Sequence, residues 1–262
     1  VVHWQGLLAL SEGRSLGFAP SSVYLGTLLA GALPFAAWLA GHRGRSWWAW
    51  VGVVALFSAA TDASGSRSGL VIGALVSLWV VRRSGWQRIV AVAAAIVVGL
   101  LVLVPFSSPA SSTNRLAEGG GMTPRLIMWE ITVDKAAERP LTGWGPNRYL
   151  NVTAPEIPAR FARLEGPEKL YFDAHNIVLE QLLGTGLPGV VLLGGCAVVA
   201  ARRARGPRAC FAAGAALTWL LEPASIASAP LVLLALGMAG AQEPPPSPRW
   251  GWKAGAVAMA LL

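Results

Sequence analysis

The sequence predicts an all-α polytopic membrane protein: a bundle of about eight transmembrane helices with a small helical cap on one face. Three observations lead there. Of 262 residues, 54% are hydrophobic and 13% charged, and the mean hydropathy is +0.54, outside the balance of soluble domains. The apolar residues fall into runs parted by short loops, and Trp47, Trp48, Trp50, Trp86, Trp250 and Trp252 stand beside those runs, as in interfacial aromatic belts. Positive charge also alternates from loop to loop, as topology requires.

In chain order, residues 1–20 mix polar and apolar groups, and Ser22–Ala40 is a first span with Pro34 inside. Trp47–Thr61 is a second, Ser68–Val81 a third and Trp86–Val104 a fourth, so residues 1–105 form an N-terminal membrane unit. Residues 106–173 are the one long hydrophilic stretch, with the Gly-rich tract Gly119–Gly121 and an amphipathic helix near Pro124–Glu138. Its apolar stripe is Leu126, Trp129 and Val133 at i, i+3 and i+7. A 68-residue loop without structure of its own is improbable, so a helical cap is expected.

Residues 174–262 hold the C-terminal spans. His175–Ala201 is interrupted by Gly186-Leu187-Pro188-Gly189. Ala209–Leu221 and Ile226–Ala241 form a hairpin around Glu222-Pro223, Pro244–Pro248 make a loop, and an apolar run closes at Gly255–Leu262. The lack of an initiator Met and the final apolar run lead us to expect a fragment, with helices missing at one end or both. Cys196 and Cys210 have no CxxC spacing and read as small core residues.

Loops after the first, third, fifth and seventh spans carry Arg43, Arg45, Arg82, Arg83, Arg88, Arg202, Arg203, Arg205, Arg208, Arg249 and Lys253, about half of the 21 Lys and Arg. The short turns on the other side hold Arg67, with Arg14 in the N-terminal segment. Cytoplasmic loops are enriched in Lys and Arg, so Arg14, Arg67, the long loop and His175 face away from the cytoplasm. The net charge of +8 is thereby located in cytoplasmic loops, and nucleic acid is not indicated as a partner.

The stretch Asp173-Ala174-His175-Asn176 places a histidine at the mouth of a membrane helix. From His175 to Arg202 is 27 residues, or about 40 Å of helix, one bilayer with its headgroups. A lone interfacial histidine can simply cap or wet a helix end; Asp173 and Glu180 are the carboxylates near it in sequence. Arg67 lies about 22 Å along a helix from Arg82, just below the opposite interface. An arginine within a membrane costs roughly 2.5–3.5 kcal/mol at mid-helix, less near the surface, and calls for a partner unless it snorkels. Its neighbours Ser64, Gly65, Ser66, Ser68 and Gly69 are small, so an anion such as a phosphate or diphosphate can meet both backbone and guanidinium. Arg125 opens the amphipathic helix, where the dipole also favours an anion, although a solvated arginine is the plainer reading. Gly143-Trp144-Gly145 lacks a third glycine and follows no strand, so it is a turn and not a dinucleotide site. No cluster shows metal-ligand spacing, and no metal or other cofactor is expected.

Taken together, Arg14-Ser15-Leu16-Gly17, Ser66-Arg67-Ser68, Arg125 with Trp129, Pro140-Leu141-Thr142-Gly143-Trp144-Gly145, and His175-Asn176 followed after nine residues by Gly186-x-x-Gly189 form a pattern. It resembles the O-antigen ligase and polymerase superfamily of bacterial membrane glycosyltransferases over about residues 10–200. Ser68 stands where many members have Gly, which leaves Arg67 in register.

The resemblance implies metal-independent transfer of a glycan from an undecaprenyl-diphosphate carrier to a hydroxyl acceptor, at the periplasmic face of the bacterial inner membrane. The acceptor would be a lipid A core sugar, another glycan repeat or a protein. It also implies that Arg67, Arg125 and then Arg14 hold the leaving diphosphate. His175 either takes the acceptor hydroxyl's proton or orients acceptor or diphosphate, Asn176 supports the loop, and Gly186 and Gly189 let the broken helix pack closely. The competing class is a polyisoprenyl-diphosphate flippase or other transporter, since broken helices also occur there, but no internal repeat is found and the polar residues gather at one face. A degenerate chain without activity is the third reading.

Overall fold

The computed structural model describes residues 10–11, 14–15, 22–42, 44–102, 122–166, 170–224 and 228–240. Gly119–Gly121, Pro244–Pro248, Trp250, Trp252 and the run Gly255–Leu262 lie outside them. Apart from a two-residue ribbon pairing Leu10–Ser11 with Arg14–Ser15, the described secondary structure is helical.

Each predicted run within the described residues is a helix. They are α1 (Ser22–His42), α2 (Trp47–Ala63), α3 (Arg67–Val81), α4 (Trp86–Val102), α5 (Met122–Glu138), α6 (Tyr149–Thr153), α7 (Ala159–Glu165), α8 (Ile177–Arg203), α9 (Gly206–Thr218) and α10 (Ala229–Gly240). Two segments, Val23–His42 and Ile177–Arg203, are long and apolar enough to cross a membrane. Arg67–Val81, Trp86–Leu101 and Ala229–Ala239 are shorter apolar helices.

α1 is the hub, packing against α2, α3 and α9, with α4 outside α2 and α10 outside α9. Close approach rests on small residues, as is usual where helices meet without water to drive them together. Pro34 leaves the Ala30 carbonyl without its helical donor, and that carbonyl lies against Gly214, where a Cβ would come within 2.1 Å. Buried hydroxyls answer to their own helices: Ser58 donates to the Val54 carbonyl, Thr61 to Phe57 and Ser77 to Gly73.

α1 and α9 run antiparallel, because Gly31 meets Phe211 while, toward the other end, the Thr218 hydroxyl donates to Thr27 Oγ1 at 3.3 Å. At the end where α1 finishes, Gly41 abuts Ser84 and accepts a hydrogen bond from Arg88, and Arg205 N donates to the Ala239 carbonyl. The arginine-rich turns therefore share one end of the bundle. The starts of α1, α3 and α8 and the α9–α10 turn lie at the opposite end.

Helices α5 to α7 build a separate core there, in which Ile127, Met128, Ile131, Tyr149, Phe161 and Leu183 are buried. The expected inward stripe of α5 is displaced: Leu126 and Val133 are 53% and 48% exposed, and Ile127, Met128, Ile131, Thr132 and Ala136 face the core instead. Both faces of α5 carry apolar residues, so periodicity alone does not choose between them, and Tyr149 and Phe161 decide it. Cys196 is also misjudged as a core residue. It is exposed, and of the 27 residues of α8 only Leu183 and Gly186 are buried, because α8 touches its neighbours mainly near its start. Cys210 is half-buried in α9. The outer face of α8, with Val191 and Leu192 about 70% exposed, is apolar and unpacked among the described residues.

Candidate active site

The histidine sits in a turn that several elements hold. Asn176 is the N-cap of α8: its backbone is extended, and its side-chain oxygen accepts from Val178 N at 2.9 Å and Leu179 N at 3.2 Å. One residue earlier, His175 has φ +50, a left-handed backbone that non-glycine residues seldom adopt and that surroundings must enforce. Four contacts enforce it. Asp173 Oδ1 accepts from His175 N at 2.8 Å, Glu180 Oε2 from Ala174 N at 2.9 Å, the Trp219 carbonyl from Ile177 N at 2.8 Å, and the Ala174 carbonyl from the Trp129 indole at 2.8 Å.

The same Asp173 Oδ1 lies 2.6 Å from His175 Nδ1, and the imidazole rests edge-on against Tyr171 at 5.0 Å between centroids. A carboxylate on Nδ1 assigns the proton to that nitrogen and leaves Nε2, on a 23% exposed side chain, as the acceptor. Burial alone would raise the Asp173 carboxyl; the hydrogen bonds from His175, with the charge of Arg125 adding to them, outweigh it and hold the group below the usual carboxylate range.

Arg125 stands on α5 one turn before Trp129. Its Nη2 reaches both oxygens of Glu222, at 3.3 and 3.4 Å. Glu222 lies in the α9–α10 turn, three residues after the Trp219 that holds the histidine turn, and its side chain is 8% exposed. Its Oε1 also accepts from the Ser68 hydroxyl at 2.9 Å, and Ser68 contacts Ser66 Oγ at 3.2 Å. Ser66 caps α3 by accepting from Gly69 N at 3.1 Å, so the helix that Arg67 opens is tied through two serines and a carboxylate to Arg125.

The Pro140–Gly145 segment docks on the break in α8. With Pro188 lacking an N–H and Gly186 at φ 72, ψ −166, the helix leaves the Leu183 and Gly184 carbonyls and the Leu187 N–H without helical partners. Trp144 N donates to Leu183 O at 2.7 Å, Gly145 N to Gly184 O at 2.9 Å, and Leu187 N to Pro140 O at 2.7 Å. Backbones approach closely here: a Cβ on Gly143 would lie 2.6 Å from Gly184 C, and one on Gly186 would lie 2.7 Å from Leu141 C. Gly189 is placed differently, since its Cβ would strike Thr185 of its own helix. Alongside, an open groove of about 670 Å³ is lined by Leu126, Val133, Val178 and Leu179 with Trp129, Asn176, Glu130 and Asp134.

The structure thus gathers His175, Asn176 and Arg125 at one end of the bundle, with Arg67 one residue from the Ser68 that completes the network. Of Arg14 only the backbone is described, in the ribbon before α1. Glu222 and the link through Trp129 were not read from the sequence. The available signal was that Glu222 is the lone carboxylate between Glu180 and Glu243. Among the described residues no three His, Cys, Asp or Glu stand together as a metal site would require.

A carboxylate-held histidine and a carboxylate-paired arginine thus stand at one end of a helical bundle. The O-antigen ligase family matches residues 52–194, more than half of the chain, and the chain belongs to that family of membrane enzymes of glycan transfer. No curated protein and no solved structure matches it. The matched segment contains Arg67, Arg125, His175, Asn176, Gly186 and Gly189 and excludes Arg14 and Glu222.

Proposed function

We propose that the chain transfers a glycan from an undecaprenyl-diphosphate carrier to a hydroxyl acceptor at the periplasmic face of the bacterial inner membrane, with the shorter helices as further crossings. The observation that carries this reading is the Asp173–His175 pair, which presents Nε2 as a proton acceptor on a turn fixed by four hydrogen bonds. The acceptor hydroxyl attacks C1 of the donor sugar, His175 takes its proton, and the bond from C1 to the diphosphate oxygen breaks.

The departing diphosphate carries the developing charge, which Arg125, Arg67 and Arg14 stabilise. Each charge-assisted hydrogen bond contributes about 1.5–3 kcal/mol, so the step needs no metal. The groove beside Asn176 suits the acceptor better than the donor, since its lining includes the Asp134 carboxylate, and Glu130 paired with Arg160, but no cation, and Trp129 offers a face for sugar rings. Acceptors that fit are a lipid A core sugar, another repeat unit or a protein hydroxyl.

The test uses full-length protein in liposomes with undecaprenyl-diphosphate-linked glycan and each acceptor, read by product mass. Wild type transfers; His175→Ala loses about 100-fold or more, the scale of general-base catalysis, and Arg67→Ala also falls. Undiminished transfer by either properly inserted variant overturns the assigned site. Movement of the lipid across the bilayer with no change in covalent linkage overturns the function.

A further inference from the structure

The buried carboxylate of Glu222 lies outside the family-matched residues and belongs to no part of the mechanism above, yet it joins three elements. We propose that Glu222 is a positioning residue that sets Arg125 and the start of α3 at the spacing a diphosphate requires; this rests on the reading of Arg125 and Arg67 as diphosphate ligands.

The geometry distinguishes positioning from blockade. Glu222 engages Arg125 through Nη2 alone, and among the described residues Nε and Nη1 of that guanidinium make no hydrogen bond. A carboxylate occupying the anion site would take the fork with two nitrogens. Here one nitrogen is anchored at 3.3 and 3.4 Å, and the remaining N–H groups, on a side chain 21% exposed, have no partner among the described residues and can meet phosphate oxygens. The other side of the same carboxylate takes the Ser68 hydroxyl, and through Ser66 it reaches the cap of the helix that begins with Arg67. One buried charge therefore fixes two anion-binding elements that come from segments 58 residues apart in the chain. A buried Glu is costly to desolvate unless paired and hydrogen-bonded, and Arg125 and Ser68 meet that requirement.

The experiment measures binding of glycan-free undecaprenyl diphosphate to full-length protein in nanodiscs, so that it stands apart from whether any glycan is transferred. Glu222→Gln keeps size and an acceptor for Ser68 but loses the charge that holds Arg125. Affinity is expected to fall about tenfold, the worth of one misplaced charge-assisted hydrogen bond. In an Arg125→Ala background the same change should add nothing, because Gln still accepts from Ser68 and the Arg125 guanidinium that the lost charge would hold is gone. Should Glu222→Gln fail to insert, Ser68→Ala, which loosens the same carboxylate, carries the comparison with the same expected direction. Affinity that is unchanged or tighter, or losses that add independently in the double variant, overturn the proposal. Wild-type protein that binds the diphosphate lipid but transfers no glycan would sink the functional reading and leave this one standing.

Discussion

At the scale of single residues the histidine turn depends on Asp173. It is two residues from His175, it accepts both the backbone N–H and Nδ1, and its carboxyl is held below the usual range. A lowered folded-state pKa means that the unfolded chain binds the proton more readily, so stability rises with pH through that window. The contribution is fully present above the unfolded value near 3.9 and is lost as pH falls through the lower folded one. Thermal melts of wild type should therefore show no loss from this group between pH 5 and 8 and a loss below about pH 4, a feature missing from Asp173→Asn. Activity should respond at neutral pH: an amide in place of the carboxylate no longer fixes the tautomer, so transfer by Asp173→Asn should drop at least about tenfold, within the range of general-base effects. Equal rates for variant and wild type would mean that Asp173 only shapes the turn.

At the scale of elements, the Pro140–Gly145 segment and the break in α8 form one unit in which the donors and acceptors freed by the break are taken up by the segment. Gly143 combines φ +63 with a Cβ position 2.6 Å from Gly184 C. Gly143→Ala should therefore destabilise by about 2–4 kcal/mol, overpacking plus the left-handed backbone, and lower transfer through α8 without touching a ligand. Melting of detergent-solubilised protein checks it, and a shift within error would dismiss the docking.

How much of this the sequence carried follows from the forces involved. Helices α1 to α4 and α8 to α10 were legible because long apolar runs have no other use in lipid, and the break was legible from Gly186 and Pro188. The docking was not, because main-chain pairing leaves no pattern beyond two glycines. The buried side of α5 was misread because Leu126 and Val133 line a groove and look like core residues from their spacing alone. Glu222 escaped because a single Glu before Pro223 reads as a turn residue; only the fold brings it to Ser68 and Arg125, 154 and 97 residues away.

At the scale of the whole molecule, the arginine-rich turns and the candidate site lie at opposite ends. The antiparallel packing of α1 and α9 sets Arg45, Arg82, Arg83 and Arg205 at one end and the His175 turn, Arg125 and Glu222 at the other. Positive loops stay on the cytoplasmic side, so the site end should face the periplasm. Single cysteines placed in a chain with Cys196 and Cys210 replaced by Ala test this directly. Ala137→Cys, exposed on α5, should react with a membrane-impermeant thiol reagent in spheroplasts with an intact inner membrane. Ser46→Cys, exposed in the turn after α1, should react only once that membrane is opened. The reverse pattern would turn the molecule over and place His175 in the cytoplasm. Labelling of both residues from outside would mean that α1 does not separate the two ends across a bilayer, and the shorter helices could then no longer be read as crossings.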